Sequence, residues 1–213
     1  MKKIIFARVA DMNYYRGITD SDQPRNGGKY VDETGDAGEA LNFLPMQFDG
    51  ESEEKCLGYC QPVGGSSNPQ LHIEKITGCE DMRNDEYVTG VTVVFVARSN
   101  DVGSMRVVGF YKNATVYRYM QEVYYDDDEI QCYQFEALKE DCVLLPRRER
   151  NGNRGWDVPS SAQKYNSFGM GRSNTWFAAS GDAGSREKEY TENMLKRIDE
   201  YNGENWMESE LVL

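Results

Sequence analysis

Hydrophobic residues in this chain form short runs, mostly of strand length rather than helix length. The clearest run, residues 90–97 (GVTVVFVA), is β-branched and aromatic, and it lacks the alternation of a strand with one solvent-exposed face. It therefore predicts a central strand that is buried on both sides. A first strand is predicted at residues 3–9 (KIIFARV).

Other segments also have the hydrophobic pattern of strands. Further strands are predicted at residues 57–61, 71–76, 105–111, 115–125, 130–138 and 142–145. Gly109 lies within one of these runs and predicts a sharp bend or a close backbone approach, as in small barrels. Residues 13–42 are rich in Gly, Asp, Pro and Asn, which predicts a long surface loop.

Only the end of the chain has a helical pattern. Apolar residues recur there at spacings of three and four, at Tyr190, Met194, Leu195, Ile198 and Tyr201. Ser185 suits the N-cap and Gly203 suits the position just past the end. The pattern predicts a helix over 184–203, followed by an acidic tail at 204–213.

The expected fold is a single α+β domain spanning residues 1–213. It consists of a small curved antiparallel β-barrel over residues 1–180 and the C-terminal helix. A length of 213 residues fits one domain, and a hydrophobic content of 39% is ample for a packed core.

Targeting signals and cysteine usage indicate a cytoplasmic protein. The apolar run near the N-terminus is too short for a secretory signal, and no run reaches the ~20 residues of a membrane span. Five cysteines are an odd number in a chain too large to need disulfides, which predicts free thiols in a reducing compartment. No membrane partner is expected.

Charge is unevenly distributed along the chain. The formal net charge of -12 argues against a polyanionic partner when it is taken alone. Residues 32–54 carry eight acidic residues and no base, whereas residues 147–172 carry six bases against two acids. An anionic ligand is therefore expected to contact the second half of the chain.

Metal and histidine chemistry have little support in the sequence. Cys56 and Cys60 have the spacing of half a zinc site, but no second cysteine pair follows and His72 is the only histidine. On a strand, His72 and Glu74 would share a face and could pair, yet no nucleophile motif accompanies them. No metal and no cofactor are predicted.

A metal-dependent nuclease or base-processing enzyme is an alternative from a different functional class. Its candidate residues are Asp126, Asp127, Asp128, Glu136 and Lys139. Glu136 and Lys139 are three apart, so on a strand they point to opposite faces rather than converging on one metal ion. The sequence therefore favours binding over catalysis. A third reading is an acidic protein-binding module that mimics nucleic acid.

Three segments resemble consecutive strands of the PUA-like group, which includes the EVE, YTH and ASCH domains. They are residues 90–97, 106–118 (RVVGFYKNATVYR) and 142–147 (CVLLPR). Together with 26–31 (NGGKYV) and 169–176 (GMGRSNTW), they also resemble uncharacterised bacterial domains associated with restriction-type, modification-dependent nucleases. The resemblance covers roughly residues 1–180.

EVE and YTH domains hold a flipped, modified base in an aromatic cage. The resemblance implies a non-catalytic reader of a modified nucleobase in nucleic acid. It also implies a role in bacterial or phage defence or counter-defence, with a nuclease as a partner protein. The net charge of -12 keeps a smaller, nucleotide-like ligand as an alternative.

The residue types that such a reader needs are present. A flipped base is stacked between aromatic faces and read on its edge by amides or hydroxyls, while basic side chains hold the backbone. Candidate cage residues are Trp156, Trp176 and Tyr111, and candidate edge readers are Asn113, Ser173 and Asn174. Candidate phosphate contacts are Arg147, Arg148, Arg154 and Arg172.

Overall fold

The computed structural model describes residues 2–28, 33, 35, 37–62, 69–126, 129–161, 167–178 and 185–209. The strands are β1 (Lys3–Arg8), β2 (Pro45–Met46), β3 (Lys55–Gly58), β4 (Tyr87–Arg98), β5 (Met105–Asp126), β6 (Glu129–Leu138), β7 (Cys142–Leu144) and β8 (Thr175–Trp176). The helices that position the site are α1 (Arg147–Gly152) and α2 (Arg186–Glu200).

The eight strands of the described residues belong to one sheet, in the order β2-β3-β6-β5-β4-β1-β8, with β7 paired to β5 beside this path. The pairing of β1 with β4 is parallel, from Lys3 opposite Val91 to Arg8 opposite Val96. The other strand pairs are antiparallel. The sheet is therefore mixed, which corrects the expectation of a purely antiparallel one.

The 22-residue strand β5 is shared between two parts of the sheet. Its first half pairs with β7, where Gly109 lies opposite Leu144, and its second half pairs with β6, where Thr115 lies opposite Glu136. Between them Asn113 adopts a positive φ of 50°, and the register with β4 shifts at several points. Such irregularities bend and twist a strand pair.

Gly109 allows the close approach that the sequence predicted. A Cβ atom at this position would lie 2.4 Å from Cζ of Phe43 and 2.5 Å from the carbonyl oxygen of Val143. Both distances are far shorter than a carbon atom tolerates, so the packing of Phe43 and β7 against β5 requires glycine here.

The sheet separates two hydrophobic cores. Val93, Phe95 and Ala97 of β4 face an inner core that loop residues such as Phe43 cover, whereas Val94 and Val96 face an outer core. Helix α2 closes the outer core with Met194, Leu195 and Ile198. Each fully buried side chain of this size contributes about 1.5–3 kcal/mol. The prediction that residues 90–97 form a strand buried on both faces is confirmed.

The α+β class and most of the predicted strands are confirmed. The prediction of a strand at 71–76 is wrong, because Ile73–Lys75 form a 3-10 helix. The predicted strands 105–111 and 115–125 are one continuous strand, β5. The hydrogen-bonded path runs from β2 to β8, and no pairing among the described residues joins these two strands into a barrel.

The terminal helix is confirmed with narrower bounds. It runs from Arg186 to Glu200, and the side chain of Ser185 accepts a hydrogen bond from the Lys188 N–H at 3.2 Å, as expected of an N-cap. Residues 184 and 210–213 lie outside the described residues. Across the described part of the chain, no helix combines the length and the apolar character needed to cross a membrane.

Candidate functional site

A cleft of about 1030 Å³ lies between α2 and the 3-10 turn Arg154–Trp156 that follows α1. Asn153 caps this turn, because its side-chain oxygen accepts a hydrogen bond from the Gly155 N–H at 2.9 Å. The hydroxyl of Tyr190 on α2 donates to the Asp157 carbonyl at 2.9 Å and so ties the helix to the turn. We call this cleft, with its Arg154, Arg186 and Arg197 side chains, the arginine cleft.

The three arginines of the cleft are exposed and form no ion pair within the described part of the chain. Two of them, Arg186 and Arg197, lie on α2 with Tyr190 and Asn193 between them, at helical spacings of four, three and four. These spacings place them on the helix face that borders the cleft. The guanidinium groups therefore remain available to an anion.

Carboxylates also line the cleft, but each has a partner. Asp157 contacts Arg106, and Glu200 lies 3.9 Å from the ammonium group of Lys196. Glu149 accepts a hydrogen bond from the Asn153 amide at 3.5 Å. Four cationic and three anionic side chains thus border the cleft, so it is locally positive in a chain whose net charge is -12.

The other predicted phosphate contacts are placed differently. Arg147 pairs with the buried carboxylate of Asp11 at 2.6 Å, and its pKa is raised because this ion pair outweighs the effect of burial. Arg148 pairs with Glu204 at 2.5 Å. Arg172 is exposed and does not line the cleft. Of the four residues, the structure brings only Arg154 to the arginine cleft.

Trp156 lines the cleft but is only 1% exposed. Its ring stacks beside Phe110, with centroids 6.2 Å apart, and the guanidinium carbon of Arg197 lies 5.4 Å from its centroid. The indole Nε1–H is buried and has no hydrogen-bond partner among the described residues. A base could stack on this ring only after Arg197 had moved away.

The structure does not assemble the expected aromatic cage. Trp176 belongs to the outer core, where it stacks on Phe6 at 4.6 Å and donates its indole N–H to Glu187 at 3.2 Å. Tyr111 lies in the inner core, and its hydroxyl donates to the Asn42 carbonyl. Burial raises the pKa of Tyr111. Because Tyr111 and the two tryptophans lie in different cores, they do not form one pocket.

The predicted edge readers are also apart. The side-chain amide of Asn113 donates to both oxygens of the Asp141 carboxylate, at 3.1 and 3.2 Å. The amide of Asn174 donates to the Gln61 carbonyl at 3.0 Å. Ser173 lines a separate, smaller pocket on the other side of β8. None of the three lines the arginine cleft.

The groups considered for catalysis are engaged in structural contacts. His72 pairs with Glu74 at 2.8 Å, as the sequence predicted, although on a 3-10 turn rather than a strand. Glu136 accepts a hydrogen bond from the Tyr117 hydroxyl at 2.9 Å and pairs with Lys55 at 3.1 Å. Asp127 and Asp128 lie outside the described residues, and among those described no cluster of three or more metal-binding side chains occurs.

All five cysteines have free thiols. Burial is the main reason that the pKa of Cys60 and that of Cys142 are raised, and a carboxylate near each thiol adds to the effect. These two thiols are therefore protonated near neutral pH, and they lack the thiolate character that metal binding and nucleophilic attack require.

Sequence reasoning missed Arg186 and Arg197. Exposed arginines on a helix are typical of a solvated face, and the residues that close the cleft on its other side are about 40 positions earlier in the chain. The helical spacing of Arg186, Tyr190, Asn193 and Arg197 was the available signal. Comparison with protein-family models, with curated proteins and with solved structures finds no match.

Proposed function

We propose that this chain is a non-catalytic reader of a modified nucleobase in nucleic acid, and that the arginine cleft holds the phosphate backbone. The observation that carries the proposal is the set of three exposed guanidinium groups on one cleft without ion pairs among the described residues. Arg147 and Arg148, by contrast, are neutralised by carboxylates of the chain itself.

The chemistry of the cleft suits phosphate groups. A guanidinium group is planar and always charged, and it donates two parallel hydrogen bonds to a phosphate. Most contacts of nucleic-acid-binding proteins go to phosphates and sugars, from arginine and from amide side chains. Asn153, Asn193 and Asn202 line the same cleft and supply amide donors.

The proposal includes assignment of the sheet to the PUA/EVE/YTH-like group, with the curved sheet taken as the wall of a small barrel. In support, the three segments that carry the resemblance lie in β4, in β5 and at β7, and β5 is hydrogen-bonded to both of the others. A nuclease is the partner protein that this assignment suggests, with a place in bacterial or phage defence or counter-defence.

Binding of labelled oligonucleotides, followed by fluorescence anisotropy, tests the proposal. The oligonucleotides carry either unmodified bases, methylated or hydroxymethylated cytosine, or methylated adenine, and salt is varied between about 50 and 200 mM. We expect Arg154→Ala and Arg197→Ala each to weaken binding to all oligonucleotides about equally. Each should also lower the slope of log K against log salt by about one.

The control variant is Arg83→Ala, which removes another exposed arginine from the segment before β4, outside the cleft. It should leave affinity and salt slope unchanged. Absence of binding to every oligonucleotide, or equal loss in Arg83→Ala and Arg154→Ala, would contradict the proposal.

A further inference from the structure

A smaller pocket of about 180 Å³ lies on the opposite face of β8 from the arginine cleft. Successive side chains of a strand point to opposite faces. Trp176 packs against Phe168 and Tyr190, which line the cleft, whereas Thr175 and Phe177 line the smaller pocket. Strand β8 is the last of the hydrogen-bonded path, so the two sites meet at an edge of the sheet.

The amide of Gln134 is the unusual group of this pocket. Gln134 lies on β6, is 3% exposed and lines the pocket, yet its side chain forms no hydrogen bond within the described part of the chain. Its amide atoms are not among the buried, unpartnered polar atoms, so they remain accessible from the pocket. The amide therefore keeps a donor and an acceptor free for a ligand that enters the pocket.

The other residues that line the pocket include both apolar and polar side chains. The apolar contribution comes from Leu71, Phe177, Pro62 and Pro69. His72 contributes polarity at the opening, where its Nδ1 is engaged by Glu74 at 2.8 Å, and Thr175 contributes a hydroxyl. Gln61, Gln70, Lys75 and Ser173 add further polar groups, so the pocket offers both apolar surface and several hydrogen-bonding groups to a polar ring.

We propose that this pocket binds a single planar heterocycle with an amide-type edge, which is the chemistry of a nucleobase, and that Gln134 reads that edge. A glutamine amide pairs in a bidentate way with neighbouring donor and acceptor atoms of a base. A cavity of about 150 Å³ accommodates benzene, so 180 Å³ leaves room for one base and not for a nucleotide with its phosphates.

Two sources could supply such a ring: a free nucleoside, or a base flipped out of a strand. The second source rests on the proposed function, because phosphates in the arginine cleft would then place a flipped base across the edge strand β8. The first source does not depend on it.

Isothermal titration with adenosine, guanosine, cytidine, uridine and thymidine tests the pocket directly. We expect at least one nucleoside to bind, and Gln134→Met, which keeps the side-chain length but removes the amide, to weaken that binding at least tenfold. The control is Gln121→Met on β5, where the amide already donates to the Tyr119 carbonyl at 3.0 Å and lies outside the pocket. If Gln134→Met fails to fold by circular dichroism, Thr175→Val serves as the second variant and should weaken binding by several-fold.

Anisotropy titration of Gln134→Met with the modified and unmodified oligonucleotides is the second part of the test. If a flipped base enters the pocket, Gln134→Met should reduce the preference for the modified strand and leave the salt slope unchanged. Arg154→Ala should lower the salt slope and leave that preference unchanged. Nucleoside binding without oligonucleotide binding would support the pocket and refute the proposed function. Arginine-dependent oligonucleotide binding, with no nucleoside binding and no effect of Gln134→Met, would refute the pocket alone.

Discussion

Arg197 has two neighbours that fix its position against the turn. Its guanidinium group lies over the ring of Trp156, and it also packs against Gly155, where an added Cβ would lie 2.0 Å from its Cζ atom. Only glycine at position 155 lets this guanidinium group approach the backbone and the indole ring at the same time. In this position the guanidinium group of Arg197 covers one face of Trp156.

We expect Gly155→Ala to displace Arg197 from the indole ring. The loss should lower the free energy of unfolding by about 0.5–2 kcal/mol, the range of a cation–π contact, since the end of a flexible side chain can move aside. Urea denaturation of Gly155→Ala, Arg197→Ala and the double variant measures it. If both substitutions remove the same contact, the double variant has the same free energy of unfolding as the less stable of the two single variants. If the two losses of stability add up in the double variant, Gly155 and Arg197 do not act through one contact.

The segment between β3 and β4 is held to the sheet by one arginine of β5. Arg118 is buried and donates to the carbonyls of Asp85 and Met82, each at 2.8 Å. It also pairs with Glu74 at 2.8 Å. Because Glu74 holds His72 with its other oxygen, Arg118 indirectly positions one wall of the smaller pocket.

Glu74→Gln should destabilise the protein at neutral pH and change its acid response. Burial tends to raise the pKa of Glu74, but hydrogen bonds from its own N–H, from Arg118 and from His72 lower it to about 2. The folded-state value thus lies below the unfolded value of about 4.3, so the contribution is complete above that pH and is lost as pH falls towards 2. We expect a loss on the order of 2–3 kcal/mol at pH 7, because Arg118 loses its ionic partner.

Urea denaturation at several pH values between about 7 and 3 checks this prediction. The difference in stability between wild type and Glu74→Gln should narrow as pH falls. Glu140→Gln, which changes an exposed glutamate after β6, should show no such pH-dependent difference. A gap that stays constant from neutral to acid pH would show that Glu74 ionisation contributes nothing.

The sequence predicted elements well where the local pattern and the tertiary setting agree. Residues 90–97 form a strand because both of their faces are covered, which a continuous apolar run requires. Residues 71–76 also looked strand-like, but their backbone pairs only once with β5, from the Leu71 N–H to the Arg118 carbonyl, and then turns into a 3-10 helix. That outcome depends on Arg118, more than 40 positions away.

The candidate sites were harder to predict than the elements. Arg154 and Trp156 were predicted as a phosphate contact and a cage residue, and both line the arginine cleft. Which arginines are neutralised depends on distant carboxylates, such as Asp11 for Arg147, and no local pattern reveals such pairs. Gln134 has the pattern of an ordinary strand residue, because only the folded chain shows that it lines a pocket and forms no side-chain hydrogen bond with the described residues.

At the scale of the whole molecule, a locally positive cleft lies on a strongly acidic protein. A net charge of -12 produces a field that repels an oligonucleotide at long range. The cleft arginines act only near contact. The repulsion by the net charge acts over a longer distance than the attraction by the cleft arginines, so added salt weakens the repulsion first. The screening length is about 30 Å at 0.01 M salt and about 8 Å at 0.15 M.

We therefore expect the association rate constant for a short oligonucleotide to rise as salt increases from about 10 to 150 mM, because the long-range repulsion is screened first. The dissociation rate constant should rise over the same range as the phosphate contacts weaken. Stopped-flow anisotropy measures the association rate, and a chase with unlabelled strand measures dissociation.

Arg197→Ala should mainly speed dissociation, since losing one short-range contact hardly alters the field of the whole protein. An association rate that falls steeply with salt, as for a basic nucleic-acid-binding protein, would mean that the approach to the cleft is governed by positive rather than negative charge.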